Sequence, residues 1–461
     1  MRDINKTAIL NFLSVVFLQG IAFFTTPVFA RLLGTEQYGK YSIFMSWMTV
    51  FSAIMGFGTG NALSVGKYDY ENEYYKFRSS IILLGNAISV VIILAGGICS
   101  ELLVKWTGLS LKVVMLMLIT ALSNYNLAVA QGALIYEKKP KDNFVLSLIY
   151  ILVNVSLSFA LVFWLPLKER YLGRIIGFSI SQILAGTIVS LLMYFRKPTV
   201  LNKNYSTYAI KFGIPIVFHT LSYSILIQSD RIMMDRMGIG DGDIGIYSLF
   251  YSFSSILSII LSSLNNTWCP FLYDDLNKDE KEPLLKKTKH YIELFTVLTV
   301  GFVLLSFEVG YWFSGEIYVS GLGLVPILSL GIYMTFLYQF PVNFEFFHKE
   351  SKIVAFGTVC AALVNICLNY FLISMWGSHG AAIATTLSYL FLFAMHYVVV
   401  NRVLQYKYYM KIRLFIPGII AVLSTVFLVY ILIDLPIIRW LLATVTGIFE
   451  IYRIIQRKSI F

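Results

Sequence analysis

Charged side chains interrupt several long apolar runs of this chain, and inside hydrocarbon each is costly enough to mark a substrate or ion path. The cations are Arg31 and Arg231, at the far ends of the first and seventh runs, Arg174, just inside the sixth, and Lys211, four residues before Pro215 in the seventh. Such groups can hold an anion. They can equally snorkel to the interface, and Arg231 can pair with the adjacent Asp230 as a latch. The groups able to take a proton or a sodium ion are Glu345, Glu308, Asp230 and His219. Glu345 lies in "QFPVNFEFF", where Pro341 loosens the helix and Gln339 and Asn343 add polar groups on nearby turns. The plainer readings are an interfacial carboxylate for the acids and a hydrogen-bonded core residue for His219. Asn124 and Asn126 flank Tyr125, and amides beside an aromatic face suit sugar hydroxyls. Hydrogen bonds between helices use the same residue types, and packing is the favoured reading for Asn154 and Asn365.

The elements that must position these groups follow from composition. Of 461 residues, 58% are hydrophobic and 13% charged, against roughly 25% charged in a soluble domain. So few charges cannot cover a water-soluble surface, and the chain reads as an all-α polytopic membrane protein. About fourteen runs, from 8–30 to 437–455, are long enough to cross hydrocarbon as helices. The first reads as an uncleaved span and not as a signal peptide. Alternate connections carry about 24 Lys and Arg on the N-terminal side against about eight on the other, which places both termini in the cytoplasm. The basic residues are scattered among short connections, so the formal charge of +11 does not point to nucleic acid.

Catalysis has no visible home. The nearest approach to a phosphate-binding Walker A loop, "NALSVGKY" (61–68), lacks the first glycine and the terminal Ser or Thr. Asp241 and Asp243 resemble the DxD of a metal-dependent glycosyltransferase but read as a Gly/Asp turn. Cys99, Cys269, Cys360 and Cys367 form no CxxC and read as small core residues. No cofactor and no metal are expected, and the chain is not expected to be an enzyme.

A repeat organises the spans. "GKYSIFMS" (39–46) returns as "GIYSLFYS" (245–252), "EKKPKDNFVLSLIYILVNVSLS" (137–158) aligns with "HKESKIVAFGTVCAALVNICLN" (348–369), and "LGRIIGFSIS" (172–181) aligns with "HGAAIATTLS" (379–388). An even number of spans between copies makes this a parallel repeat of two six-helix lobes, 1–200 and 201–405, followed by two extra helices in 406–461. Like bundles facing one another enclose a cavity and can rock, which favours a transporter over a pore.

Particular stretches carry a resemblance. "ARLLGTEQYGKYSIF" (30–44), "FGIPIVFHTLSYSILIQSDRIMM" (212–234), "WCPFLY" (268–273) and "NICLNYFLISMWGSHGAAIATTLSY" (365–389) resemble the polysaccharide repeat-unit flippases of the Wzx type, in the MATE-like superfamily of multidrug, oligosaccharidyl-lipid and polysaccharide transporters. "ISMW" departs from the family, where a proline is usual. The resemblance implies a flippase of the bacterial inner membrane that turns undecaprenyl-diphosphate-linked oligosaccharide to the outer leaflet, driven by a proton or sodium gradient. It implies an O-antigen, capsule or exopolysaccharide pathway, with a polymerase and a chain-length regulator as partners. Within it, Lys211 would meet the diphosphate, Arg31 and Arg231 would line the exit, Arg174 would assist, and Asn124 and Asn126 would touch glycan. Two alternatives remain: a cation-coupled multidrug pump, which needs deep carboxylates, and a membrane polymerase, which needs large outer loops.

Overall fold

The computed structural model describes residues 2–406 and 410–457, with side chains from residue 20 onward except 22. Among the described residues every regular element is helical. Hydrocarbon dictates this, because a lipid-exposed backbone must satisfy its N–H and C=O groups within its own segment. The α-helices are α1 (Arg2–Ile54), α2 (Leu63–Asp69), α3 (Tyr74–Ile98), α4 (Ser100–Thr107), α5 (Leu111–Tyr136), α6 (Pro140–Trp164) and α7 (Arg170–Phe195). They continue with α8 (Lys203–Arg236), α9 (Asp241–Ser254), α10 (Ile256–Asn277), α11 (Lys281–Ser314), α12 (Leu324–Phe347), α13 (Ser351–Val398), α14 (Ile416–Ile431) and α15 (Pro436–Arg457).

Among the described residues, ten helical segments are long and apolar enough to cross a membrane. Two of them are double passes. α1 breaks at Gly34 (φ 73°, ψ 171°) and α13 at Gly377 (φ 54°, ψ −129°), where the sequence places the turns between its first two and its eleventh and twelfth spans. With α14 and α15 the chain supplies the expected set of about fourteen passes. α15 is the irregular member. Arg439 and Glu450 on it are buried; Arg439 pairs with Glu308 of α11, and Arg453 and Arg457 pair with Glu293 of α11 at 2.9 and 2.7 Å. The opposite face, with Ile437, Leu441, Val445, Ile448 and Ile455, is exposed and apolar.

The chain forms two compact units, Met1–Asp235 and Arg236–Phe461. In the first, an apolar cluster joins Phe77, Ile81, Leu118, Ala121, Ala130 and Leu134 of α3 and α5 to Val189 and Met193 of α7. In the second, rings carry the core. Trp268, Tyr291, Phe295, Tyr333, Phe336 and Phe340 lie 4.4–6.4 Å from one another in successive contacts.

The repeat is visible in the backbone of each unit. α5 ends with amides of Glu137, Lys138 and Lys139 donating to carbonyls of Ala133, Ile135 and Leu134, and α12 ends with His348, Lys349 and Glu350 donating to Phe344, Phe346 and Glu345. The two patterns coincide 211 positions apart, and Lys138 and Lys349 share a left-handed φ of 57° and 63°. The next helix crossings correspond as well. A Cβ on Gly173 would lie 2.7 Å from the Leu161 carbonyl oxygen, and one on Gly380 would overlap the Leu372 carbonyl. Small residues at these points let the backbones touch, which is how helices pack where lipid removes the hydrophobic drive. At the same crossings Asn154 accepts from Arg174, and Asn365 donates to Thr385 while accepting from Asn369. Gly380→Ala should therefore lower stability by about 1–3 kcal/mol, the usual cost of overpacking. Gly301→Ala, with open space around its Cβ, should not, and thermal unfolding of the detergent-solubilised protein separates the two.

Candidate functional site

The backbone departs from helix within the membrane-spanning length of the first unit. After α1 the segment Met55–Ala62 turns through Gly56 (φ 63°), Phe57 (φ 45°) and Gly58 (φ 63°). Left-handed residues suit glycine and strain Phe57. Glycine is needed for space as well as for angle: a Cβ on Gly58 would lie 2.8 Å from the carbonyl oxygen of Gly213 on α8, and one on Gly213 would lie 2.5 Å from that of Phe57. Irregular backbone at such depth is tolerated where it is buried in protein or lines a cavity.

The freed groups are held locally. The Gly56 amide donates to Ser89 Oγ at 2.9 Å, and the Thr59 hydroxyl donates to the Gly56 carbonyl at 2.7 Å. Thr59 has then given its only proton, so the Tyr125 phenol, 2.9 Å away, donates to it. Beside this turn lies a cavity of about 360 Å³, within the range of small-molecule sites. Its walls are Thr49, Ser52 and Ala53 of α1, Gly58, Gly60 and Asn61 of the turn, Asn124, Tyr125, Ala128 and Gly132 of α5, and Val217, Thr220 and Ser224 of α8. Hydroxyls, amides and the phenols of Tyr125 and Tyr136 line it; none of its lining residues is Asp, Glu, Lys or Arg.

The residues singled out from sequence fall into distinct places. Asn124 lines the cavity and accepts from Gln182 Nε2 at 3.1 Å. Asn126 turns the other way and forms a reciprocal amide pair with Asn86, at 2.8 and 3.0 Å. Arg174 donates to Asn154 Oδ1 and Ser158 Oγ at 2.8 and 2.6 Å, and its guanidinium lies over Phe29 and Tyr41 at 4.2 and 5.1 Å. Arg31 and Lys211 are exposed. Asp230 and Arg231 are buried, and Arg231 donates to the Ile227 carbonyl and to Gln228 Oε1. His219 on α8 is partly buried, with Nδ1 unpartnered.

In the second unit, Glu308 is held by Arg439. Glu345 is fully buried and contacts Nδ1 of His396 through both carboxylate oxygens, at 2.9 and 2.8 Å. Sequence reasoning missed His396, Arg439 and the left-handed turn. "MGFGTGNA" (55–62) carried a signal for the turn, three glycines at alternate positions in an apolar run; the two partner residues carried none, since they lie 51 and 131 positions from the acids they meet.

Residues 4–274 match the family described as polysaccharide biosynthesis protein. The chain belongs to that family. Among relatives of this polysaccharide biosynthesis family, a protein of the Lsg locus of Haemophilus influenzae is 22% identical over 77% of this chain and 88% of its own length. One from Haloferax volcanii, named "Probable low-salt glycan biosynthesis flippase", is 23% identical over 84% and 81%. The fold is shared with the lipid II flippase MurJ in an inward closed conformation (TM-score 0.76, 18% identity, 98% and 99% of the two chains). It is also shared with an inward-facing multidrug resistance MATE transporter of the MOP superfamily (TM-score 0.60, 14% identity, 88% and 94%). A member of this family built in this way should be sensitive at the Asn86–Asn126 pair. Asn126→Leu is expected to cost about 1–3 kcal/mol by stranding the Asn86 amide, and Asn86→Leu with Asn126→Leu should recover part of the loss. A double-mutant cycle in thermal unfolding reads the coupling.

Proposed function

We propose that the protein is a flippase for lipid-linked oligosaccharides. It moves undecaprenyl-diphosphate-linked repeat units from the inner to the outer leaflet of a bacterial cytoplasmic membrane, by ion-coupled alternating access, with both termini in the cytoplasm. The observation that carries this reading is the neutral cavity of the first unit. Its amides, hydroxyls and phenols are hydrogen-bonding partners for sugar hydroxyls, whereas an organic cation would call for a carboxylate among the lining residues. The name of the Haloferax volcanii relative and the MurJ-like fold support the same reading.

In this mechanism the glycan head occupies the cavity and the polyprenyl tail stays in lipid. Lys211 and Arg31, the exposed cations on α8 and α1, neutralise the diphosphate by charge-assisted hydrogen bonds as it enters and leaves. Arg174, Arg231 and Asn126 support the walls. Residues 1–200 and 201–405 act as the two moving lobes, and 406–461 as an added pair of helices.

The test is translocation of a fluorescent polyprenyl diphosphate disaccharide by the reconstituted full chain. Asn124→Leu should slow it about five- to thirtyfold, the loss of one or two hydrogen bonds, measured below its unfolding temperature because stranding the buried Gln182 Nε2 also lowers stability by about 1–3 kcal/mol. Equal transport of a polyprenyl diphosphate lacking sugar, or gradient-driven extrusion of an organic cation in its place, overturns the reading.

A further inference from the structure

The repeat isolates a feature that the fold itself does not require. Glu345 on α12 and His396 on α13 are both fully buried. Counting back by the offsets that align the two ends, 211 and 207 positions, their counterparts in the first unit are Leu134 and Val189, two members of one apolar cluster. The architecture thus places two apolar residues of one cluster at these positions in one unit and an ionisable pair in the other. Apolar replacement of a buried ion pair is generally neutral or stabilising, so packing does not explain the pair.

Among the described residues, neither side chain makes a hydrogen bond or ion pair to any group but the other. Glu345 Oε2 has no hydrogen bond and His396 Nε2 no partner at all; room for the ring is made at Gly357, where a Cβ would sit 2.5 Å from that Nε2. Tyr338 of α12 has its ring 6.5 Å from that of His396, and Tyr389 of α13 is stacked on Tyr338; His348 ends α12, Cys360 lies one turn from Gly357 on α13, and Arg402 follows α13. α14 brings only Tyr430. On α10, Asp275 is tied to Lys287; on α11, Glu293 is held by α15; Asp241 and Asp243 lie on the first turn of α9. A carboxylate beside a neutral imidazole would leave a net negative charge in a dry core, at a prohibitive desolvation cost. A carboxyl group and an imidazole in direct contact can share a proton, and its exchange with water requires α12 and α13 to part.

From this geometry we infer that Glu345 and His396 form the proton-coupling site of the transporter, taking a proton from water on one side of the membrane and yielding it to water on the other. The assignment rests on the transport reading above and adds the ion and its place. In the full chain in nanodiscs, nitrogen NMR of labelled histidine should show the His396 Nδ1 resonance shifting in Glu345→Gln, as the loss of a direct carboxyl partner requires. A His396 Nδ1 resonance indifferent to Glu345→Gln overturns the site.

A merely structural pair would pass that test but fail the next. In vesicles carrying the fluorescent polyprenyl diphosphate disaccharide, a pH gradient of one unit should support about tenfold accumulation at one proton per lipid. Glu345→Gln, and Glu345→Leu with His396→Val, which import the counterpart contact and should fold as stably as the native chain, should equilibrate the probe without a gradient and fail to accumulate it with one. Gradient-driven accumulation by the folded double variant overturns the proposal. If the native chain moves no disaccharide probe, the flippase reading falls, and the same comparison with tetraphenylphosphonium decides the coupling site: extrusion lost in the double variant supports it, while extrusion retained, or none in the native chain, overturns it.

Discussion

Everything in this molecule depends on the refusal of hydrocarbon to hydrogen-bond a peptide group. That constraint makes every described element helical and makes each exception costly. The exceptions are accordingly few and placed with purpose. Gly34 and Gly377 fold long helices back on themselves, and Gly56 to Gly58 open a turn whose backbone is satisfied by Ser89 and Thr59 beside a polar cavity. The segment that most resembles a loop is therefore the one with the most specific local partners.

Charge obeys the same economy of solvation. Arg78 is buried against Glu137, Glu308 against Arg439, and Glu293 against two arginines of α15. Arg174 achieves the same without an acid, by stacking on two rings and donating to an amide and a hydroxyl. The cavity of the first unit is left with a neutral lining of hydroxyls, phenols and amides.

Hydropathy revealed the passes, and three short phrases revealed the repeat, because both are written locally along the chain. The structure carries the repeat further, down to the same helix-ending hydrogen bonds after Leu134 and Glu345. Partnership was not legible. Glu308 and Glu345 could be recognised as acids within apolar runs, yet whether an acid meets Arg439, His396 or water depends on which helices become neighbours, a tertiary fact with no local signature. Asn124 and Asn126 show the same limit at closer range: two positions apart on one helix, one lines the cavity and the other seals a contact with α3.

α15 bears on how such a chain is made. Read alone it is a poor membrane span, since Arg439, Glu450, Arg453 and Arg457 interrupt its apolar residues, and an insertion machinery that partitions segments by hydrophobicity would reject it. It becomes acceptable only once α11 offers Glu293 and Glu308 along its flank. The insertion of α15 is thus conditional on an earlier pass, and its seating serves as a check that the second unit has already been assembled around α11.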